Sequence, residues 1–239
     1  GTVWAWGANR IQKMVKLVDR MAVILPFEEQ MFREAGIDAT FVGHPLLETV
    51  TSKMSREEFF QKYGLTVSTK TIGLLPGCRP LEVKRLLPEM LATVRQLRKK
   101  YPELQAIIGK AASLTTDVYD SILQPTDQVQ LLNNCTYEVM NHSDLLIVAS
   151  GTETLESALC ETPLIIVYKV DPFSYVIGKQ LVKIDCIGLV NVIAGRKIVP
   201  EFIQHEFNWQ NLYPEIEDLL FNEDRRMTVI NDLKKIKAK

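Results

Sequence analysis

The chain has 239 residues, 46% of them hydrophobic, enough for the core of one full α/β domain and part of a second, which excludes a disordered polypeptide. Its 28 basic and 29 acidic residues leave a net charge of −1, so no global field points to nucleic acid and an anionic surface has to be met by a local patch. Cys78, Cys135, Cys160 and Cys186 lie far apart without CxxC spacing, and His44, His142 and His205 are equally scattered; reduced thiols and no metal site are expected.

The chain opens Gly1-Thr2-Val3-Trp4 and enters a folded pattern at once, as expected of a segment of something longer. Ile11, Met14, Val15 and Val18 predict a helix over 10–20 with one buried face and one basic face. A strand over 21–25, a helix over 27–35 stopped by Gly36 and a strand over 39–42 follow. This α-β-α-β order reads as the closing part of a layered domain, over residues 1–50.

A polar stretch over 48–62 reads as a linker and surface helix, and beyond it strands and helices alternate. Strands are predicted at 71–75, 105–109, 128–132, 144–148 and 164–168, and helices at 81–99, 114–123, 136–141 and 152–160. Such spacing implies a parallel sheet with helices on both faces, a Rossmann-like domain over 51–208. A helix is expected around 173–182, an irregular stretch around Asn191, Gly195 and Arg196, and helices from Pro200 onward. The basic tail carries an apolar stripe at Met227, Ile230, Leu233 and Ile236, so 209–239 is expected to pack back on the first domain or on a partner subunit. No apolar run reaches the roughly 18 residues of a membrane span, and no signal pattern opens the chain, so a soluble cytoplasmic protein is expected.

In an open parallel sheet, ligands bind where strands end and helices begin, which directs attention to two turns. Leu75-Pro76-Gly77-Cys78-Arg79 brings a strand into a glycine turn and then a guanidinium, which can take two phosphate oxygens at once. Ala149-Ser150-Gly151-Thr152 brings a strand into a helix start, where free amides and the Ser150 and Thr152 hydroxyls suit a diphosphate. Glu156, one turn deeper, can accept hydrogen bonds from a ribose diol. Each feature also has a structural use: Ser150 and Thr152 as helix caps, Glu156 as a solvated residue, Arg79 as a partner for Glu82.

Seven stretches, in order and spacing, resemble the bacterial lipid A disaccharide synthase family. They are Val3-Trp4-Ala5-Trp6 with Arg10, Leu25-Pro26-Phe27-Glu28, Phe41-Val42-Gly43-His44-Pro45, Leu75 to Arg79 with Glu82-Val83, Ala149 to Thr152 with Thr154-Leu155-Glu156, Asn191 with Ala194-Gly195-Arg196, and Pro200-Glu201 with Gln204. The resemblance implies an inverting sugar transferase of the two-Rossmann-domain (GT-B) type, without cofactor or metal. That family transfers 2,3-diacylglucosamine from its UDP derivative to 2,3-diacylglucosamine 1-phosphate.

On that resemblance, Arg79 neutralises the departing diphosphate, the Gly151 and Thr152 amides hold it, and Glu156 binds the ribose. Gly77, Cys78 and Ser150 line the same crevice, the Asn134-Cys135 turn meets the uracil, and Asn191 reaches the sugar-diphosphate region. Trp4, Trp6, Arg10 and Lys13 suit contact with the cytoplasmic face of the inner membrane, where both acylated substrates reside, although the two tryptophans read equally well as core residues. Exchange of C-terminal helices between subunits makes a homodimer an expectation too.

The family usually has serine at Cys78, a small residue at Glu153 and proline at Val190; the added carboxylate at Glu153 costs diphosphate affinity unless it points outward. The family's N-terminal segment, with its glycine-rich motif and general base, has no counterpart in these residues, so weak UDP binding and little turnover are expected of the chain by itself. Other UDP-N-acetylglucosamine users share the crevice, namely the undecaprenyl-linked muramyl peptide transferase and the UDP-sugar 2-epimerase. A nucleotide-binding module without catalysis is the reading from a different class.

Overall fold

The computed structural model describes residues 8–170 and 186–238. They belong to two compact units, a smaller one up to Thr49 and a larger one built from Val50–Val170 and Cys186–Ala238.

In the smaller unit, α1 (Ala8–Met14), β1 (Arg20–Val23), α2 (Pro26–Glu34), β2 (Asp38–Phe41) and the single turn α3 (Leu46–Thr49) follow in order. The two strands pair in parallel, Val23 opposite Phe41. Val23, Phe32, Ile37 and Ala39 form the core, with Ile11, Met14 and Val18 packed on it. The first helix is shorter than the 10–20 predicted: after Met14 the chain turns, Leu17 is 82% exposed, and only Val18 returns to the core.

The larger unit opens with α4 (Arg56–Lys62), started by a reciprocal capping box between Ser55 and Glu58. β3 (Thr71–Leu75), α5 (Pro80–Lys100), β4 (Gln105–Lys110), α6 (Asp117–Asp120), β5 (Gln130–Asn133), α7 (Thr136–His142), β6 (Leu145–Ala149), α8 (Thr152–Leu159) and β7 (Leu164–Tyr168) then alternate. After the undescribed stretch come α9 (Leu189–Ala194), β8 (Glu201–Ile203), α10 (Trp209–Phe221) and α11 (Glu223–Lys237). The six strands lie in the order β5-β4-β3-β6-β7-β8, all pairs parallel. β3 and β6 are buried along their whole length, which is why both read as unbroken apolar runs rather than alternating ones.

The helices cover the sheet by regular apolar spacing. In α5, Val83, Leu86, Leu87, Met90, Leu91, Val94 and Leu97 are buried, Pro80 sits at the first turn where its missing N–H costs nothing, and Arg98, Lys99 and Lys100 favour the helix's negative end. At the sheet's N-terminal edge, Asp144 ties three elements together: it accepts from the Thr71 amide at 2.9 Å, pairs with Arg56 at 3.0 Å and lies 3.7 Å from Lys70. Its neighbour His142 places Nε2 2.9 Å from both the Ser52 hydroxyl and the Met54 carbonyl.

Residues 209–237 form two helices that belong to the larger unit. From α10, Glu217 accepts from Lys100 and Tyr101 at 2.7 Å each, and Phe221 stacks on Tyr101. α11 buries Val229, Leu233 and Ile236 beside α8 and leaves Met227 exposed, so the stripe is displaced from the one predicted; Asp232, held by Arg196 at 2.7 Å, takes part of that face.

Further differences have local causes. The helix predicted at 114–123 shrinks to Asp117–Asp120, because Leu114 and Tyr119 turn inward to close the loop after β4. The stretch around Asn191, expected to be irregular, is the short helix α9, closed by Gly195 in the left-handed conformation. Residues just after Pro200 form an edge strand where a helix was expected; three residues are too few to show a period. The helix expected around 173–182 lies outside the described residues.

Candidate functional site

The strand order reverses between β3 and β6: the chain steps outward through β4 and β5, then returns to place β6 against the other side of β3. Because the two strands are parallel with Leu75 opposite Val148, the turns that follow them emerge side by side at the same edge. A Cβ at Gly77 would lie 3.4 Å from the Ala149 Cβ, so the turn after β3 lies against the end of β6. Gly77 has φ of +99° and would bring that Cβ to 2.6 Å from a Glu82 carboxylate oxygen, two reasons why a side chain is excluded there.

The helices that follow these two strand ends, α5 and α8, begin without a side-chain cap. The N-cap of α5 is Arg79 and that of α8 is Gly151; neither helix has a side-chain cap on its first amides, and at α8 the Thr154 hydroxyl donates to the Gly151 carbonyl at 2.8 Å. The capping use weighed for Ser150 and Thr152 is therefore not the arrangement found: the Ser150 hydroxyl donates to the Ile187 carbonyl at 3.4 Å, and Thr152 is exposed at the helix tip. The first-turn amides of α8 therefore have no side-chain cap, the arrangement that attracts anions.

Arg79 stands at the mouth with its side chain 78% exposed, 3.4 Å from Glu82. That separation at a wet surface is a weak attachment, which leaves the guanidinium free to turn toward a ligand. Cys78 is exposed, and its carbonyl accepts from the Ser113 hydroxyl at 3.3 Å. Burial first, then the carboxylates Glu153 and Glu82, push the Cys78 thiol up. Glu156 is partly buried and accepts from the Tyr137 hydroxyl at 3.1 Å, so α7 fixes the carboxylate beside the tip of α8.

Asn134 takes a left-handed backbone (φ 53°) in the exposed turn after β5, at the same edge. Cys135 is buried and its thiol lies 2.9 Å from the Tyr63 hydroxyl, a contact from the linker helix that sequence spacing gives no means of finding. The phenol is pushed up to about 12, chiefly by that hydrogen bond.

Asn191 is a correction to the sequence reading of a direct reach into the site. It is wholly buried, its Nδ2 donates to the Val199 carbonyl at 2.9 Å and to Glu201 at 2.8 Å, and its Oδ1 accepts from the Ile198 and Val199 amides. Glu201 in turn accepts from the Ile187 and Gly188 amides at 2.9 Å each. The pair braces the loop that carries the Ile187 partner of Ser150. Its amide groups all have partners within the chain.

Glu153, noted in the sequence as a departure, turns inward. Its carboxyl is partly buried and is pushed up to about 7, by burial first and then by Glu156 and Glu82. Among the described residues, no group of histidines, cysteines and carboxylates could hold a metal ion, and no helix is long and apolar enough to cross a membrane. Arg10 and Lys13 are exposed on or beside α1, and Trp4 and Trp6 lie outside the described residues.

A family model described as lipid-A-disaccharide synthetase matches residues 1–239. The chain belongs to that family. A lipid-A-disaccharide synthase of Syntrophus aciditrophicus is 44% identical over 239 residues, covering 99% of this chain and 62% of its own length. One of Geobacter metallireducens is 41% identical over 215 residues, 90% of this chain and 56% of the relative. This chain thus spans about three fifths of the length of the curated synthases it matches.

Among solved structures, the S. aureus MnaA-UDP co-structure superposes with a TM-score of 0.61 at 15% identity, covering 92% of this chain and 56% of that one. WaaG, a glycosyltransferase involved in lipopolysaccharide biosynthesis, gives 0.53 at 14% identity, with 91% and 58% covered. At such identities the likeness concerns the fold, which is the GT-B type of α/β architecture.

Proposed function

We propose that this chain carries the donor-binding half of a lipid A disaccharide synthase, which moves 2,3-diacylglucosamine from its UDP derivative onto 2,3-diacylglucosamine 1-phosphate and releases UDP. The observation behind the proposal is the contact of Gly77, in the turn after β3, with Ala149 at the end of β6, which supports a shared crevice for an exposed guanidinium and an uncapped helix tip. Family membership supplies the reaction, and a fold neighbour that holds UDP supports the class of donor.

In this reading the diphosphate lies between Arg79 and the Gly151–Thr152 amides. As the bond to the sugar breaks, negative charge builds on the leaving phosphate, where fixed donors stabilise it by about 3 kcal/mol each. Gly77 and Gly151 keep the crevice walls bare, Glu156 takes the ribose hydroxyls with Tyr137 holding it, and the turn at Asn134 and Cys135 meets the base. Asn191 acts at one remove, by fixing the loop behind Ser150. Inverting displacement also needs a base on the acceptor hydroxyl and an in-line approach.

Contact with an anionic membrane face fits the exposed Arg10 and Lys13 and the outward Leu17 next to them. A homodimer through the C-terminal helices belongs to the same reading. The test is calorimetry of UDP binding: tight or millimolar binding that Arg79→Ala and Glu156→Ala both weaken supports the donor site, and heat unchanged by either substitution contradicts it.

A further inference from the structure

A carboxylate in the first turn of a helix is ordinarily favoured by the free amides around it. Glu153 is the second residue of α8, yet its environment works the other way. It is half-buried, and among the described residues it has no hydrogen bond or ion pair. The groups that face it are themselves acidic: Glu156 on its own helix, already engaged by Tyr137 of α7, and Glu82 of α5, which Arg79 meets only at 3.4 Å. Among the described residues, Cys78 in the adjoining turn and the buried Tyr119 of α6 also lie near it. α9 has no titratable side chain, β6 has none, β7 ends in Tyr168, and the α11 cation nearest α8, Lys237, pairs with Glu161 at the helix's far end.

A diphosphate seated on the same helix tip would add two further charges within a few ångströms of this carboxylate. Either the anion is repelled or the carboxyl takes up a proton from solvent, and the second course also turns an acceptor into an O–H donor aimed at phosphate oxygen. We infer that Glu153 makes donor binding proton-linked: the chain takes the sugar nucleotide with the Glu153 carboxyl neutral, donating a hydrogen bond to the diphosphate. This inference rests on the donor-site reading above. Burial and like charges already hold the Glu153 carboxyl near neutrality in the free protein, at about 7, so the linkage falls in an accessible range. The Cys78 thiol is pushed up and stays protonated there.

The experiment is calorimetry of UDP-N-acetylglucosamine, a diphosphate diester that does not itself titrate near neutrality, with the 239-residue chain from pH 6 to pH 8.5 in buffers of differing ionisation heat. The unmodified chain is expected to lose up to about thirty-fold in affinity across that range and to take up a fraction of a proton on binding at pH 7.5. Glu153→Gln, isosteric and uncharged, is expected to bind with nearly constant affinity and no proton uptake; Glu153→Ala should share the flat profile. Equal pH slopes in the unmodified chain and Glu153→Gln would overturn the inference while leaving the donor site intact. Absence of binding by both at every pH would overturn the donor site and this inference with it.

Discussion

Gly77 and Ala149 meet across the boundary between β3 and β6, close enough that a methyl group on the glycine would stand 3.4 Å from the alanine's own. The same methyl would press on Glu82, and the glycine's φ of +99° disfavours any side chain. Gly77→Ala should therefore cost about 1–3 kcal/mol of stability and also displace Glu82 from Arg79. Gly151 provides the contrast: its backbone is extended and nothing lies within 4 Å of an added Cβ. Gly151→Ala should leave the melting temperature within error but weaken UDP binding, because the added methyl occupies the path of the diphosphate. Thermal denaturation beside calorimetry separates the two effects.

Arg79→Ala should leave the fold unchanged, since its ion pair with Glu82 is long and wet and such pairs contribute about 0–1 kcal/mol. Its effect on UDP affinity should be a loss of about ten- to a hundred-fold, the scale of a charge-assisted hydrogen bond. Tyr137→Phe should produce a smaller loss, of a few-fold, by releasing Glu156. Binding constants for the two variants check both claims.

Asn191→Ala should behave oppositely, as a stability variant. It removes the acceptor from the buried Ile198 and Val199 amides and the donor from Glu201. Two stranded amides at about 1–3 kcal/mol each predict a loss of several kcal/mol in chemical denaturation, large enough to threaten folding at moderate temperature. Asn191→Asp keeps the acceptor but sets a buried carboxylate against Glu201 and the Val199 carbonyl, so it should not recover the loss near neutral pH.

His142 gives the fold an acid sensitivity. Burial, the largest influence, lowers its pKa below 6.5, opposed by its hydrogen bond to the Met54 carbonyl and reinforced by Arg56. The unfolded chain consequently binds the proton first, so stability is complete above about pH 6.5 and declines as pH falls through the interval down to the folded value. Denaturation midpoints at pH 7.5 and 5.5 should differ more in the unmodified chain than in His142→Gln.

The parallel sheet and both crevice turns were legible from the sequence because buried central strands leave apolar runs and their turns leave glycine beside charge. Leu75-Pro76-Gly77 and Ala149-Ser150-Gly151 carry those signals without help from the rest of the chain. What escaped notice depends on distant partners. Tyr63 reaches Cys135 over 72 positions, Tyr137 fixes Glu156 from another helix, and β8 is too short to show alternation. Asn191 misled in another way: a polar residue in a glycine-containing stretch suggests a ligand contact, yet the helix that buries it directs all its hydrogen bonds inward. The direction in which Glu153 points also needed coordinates, since a helix start offers both an inner and an outer face.

A titration of isotopically labelled chain with UDP, followed through its backbone amide resonances, addresses the crevice directly. The account predicts that the amides of Gly77, Gly151 and Thr152 move first and together, while those around Arg56 and Asp144, at the opposite edge of the sheet, stay in place. Shifts centred on that opposite edge, or none up to millimolar UDP, would contradict it.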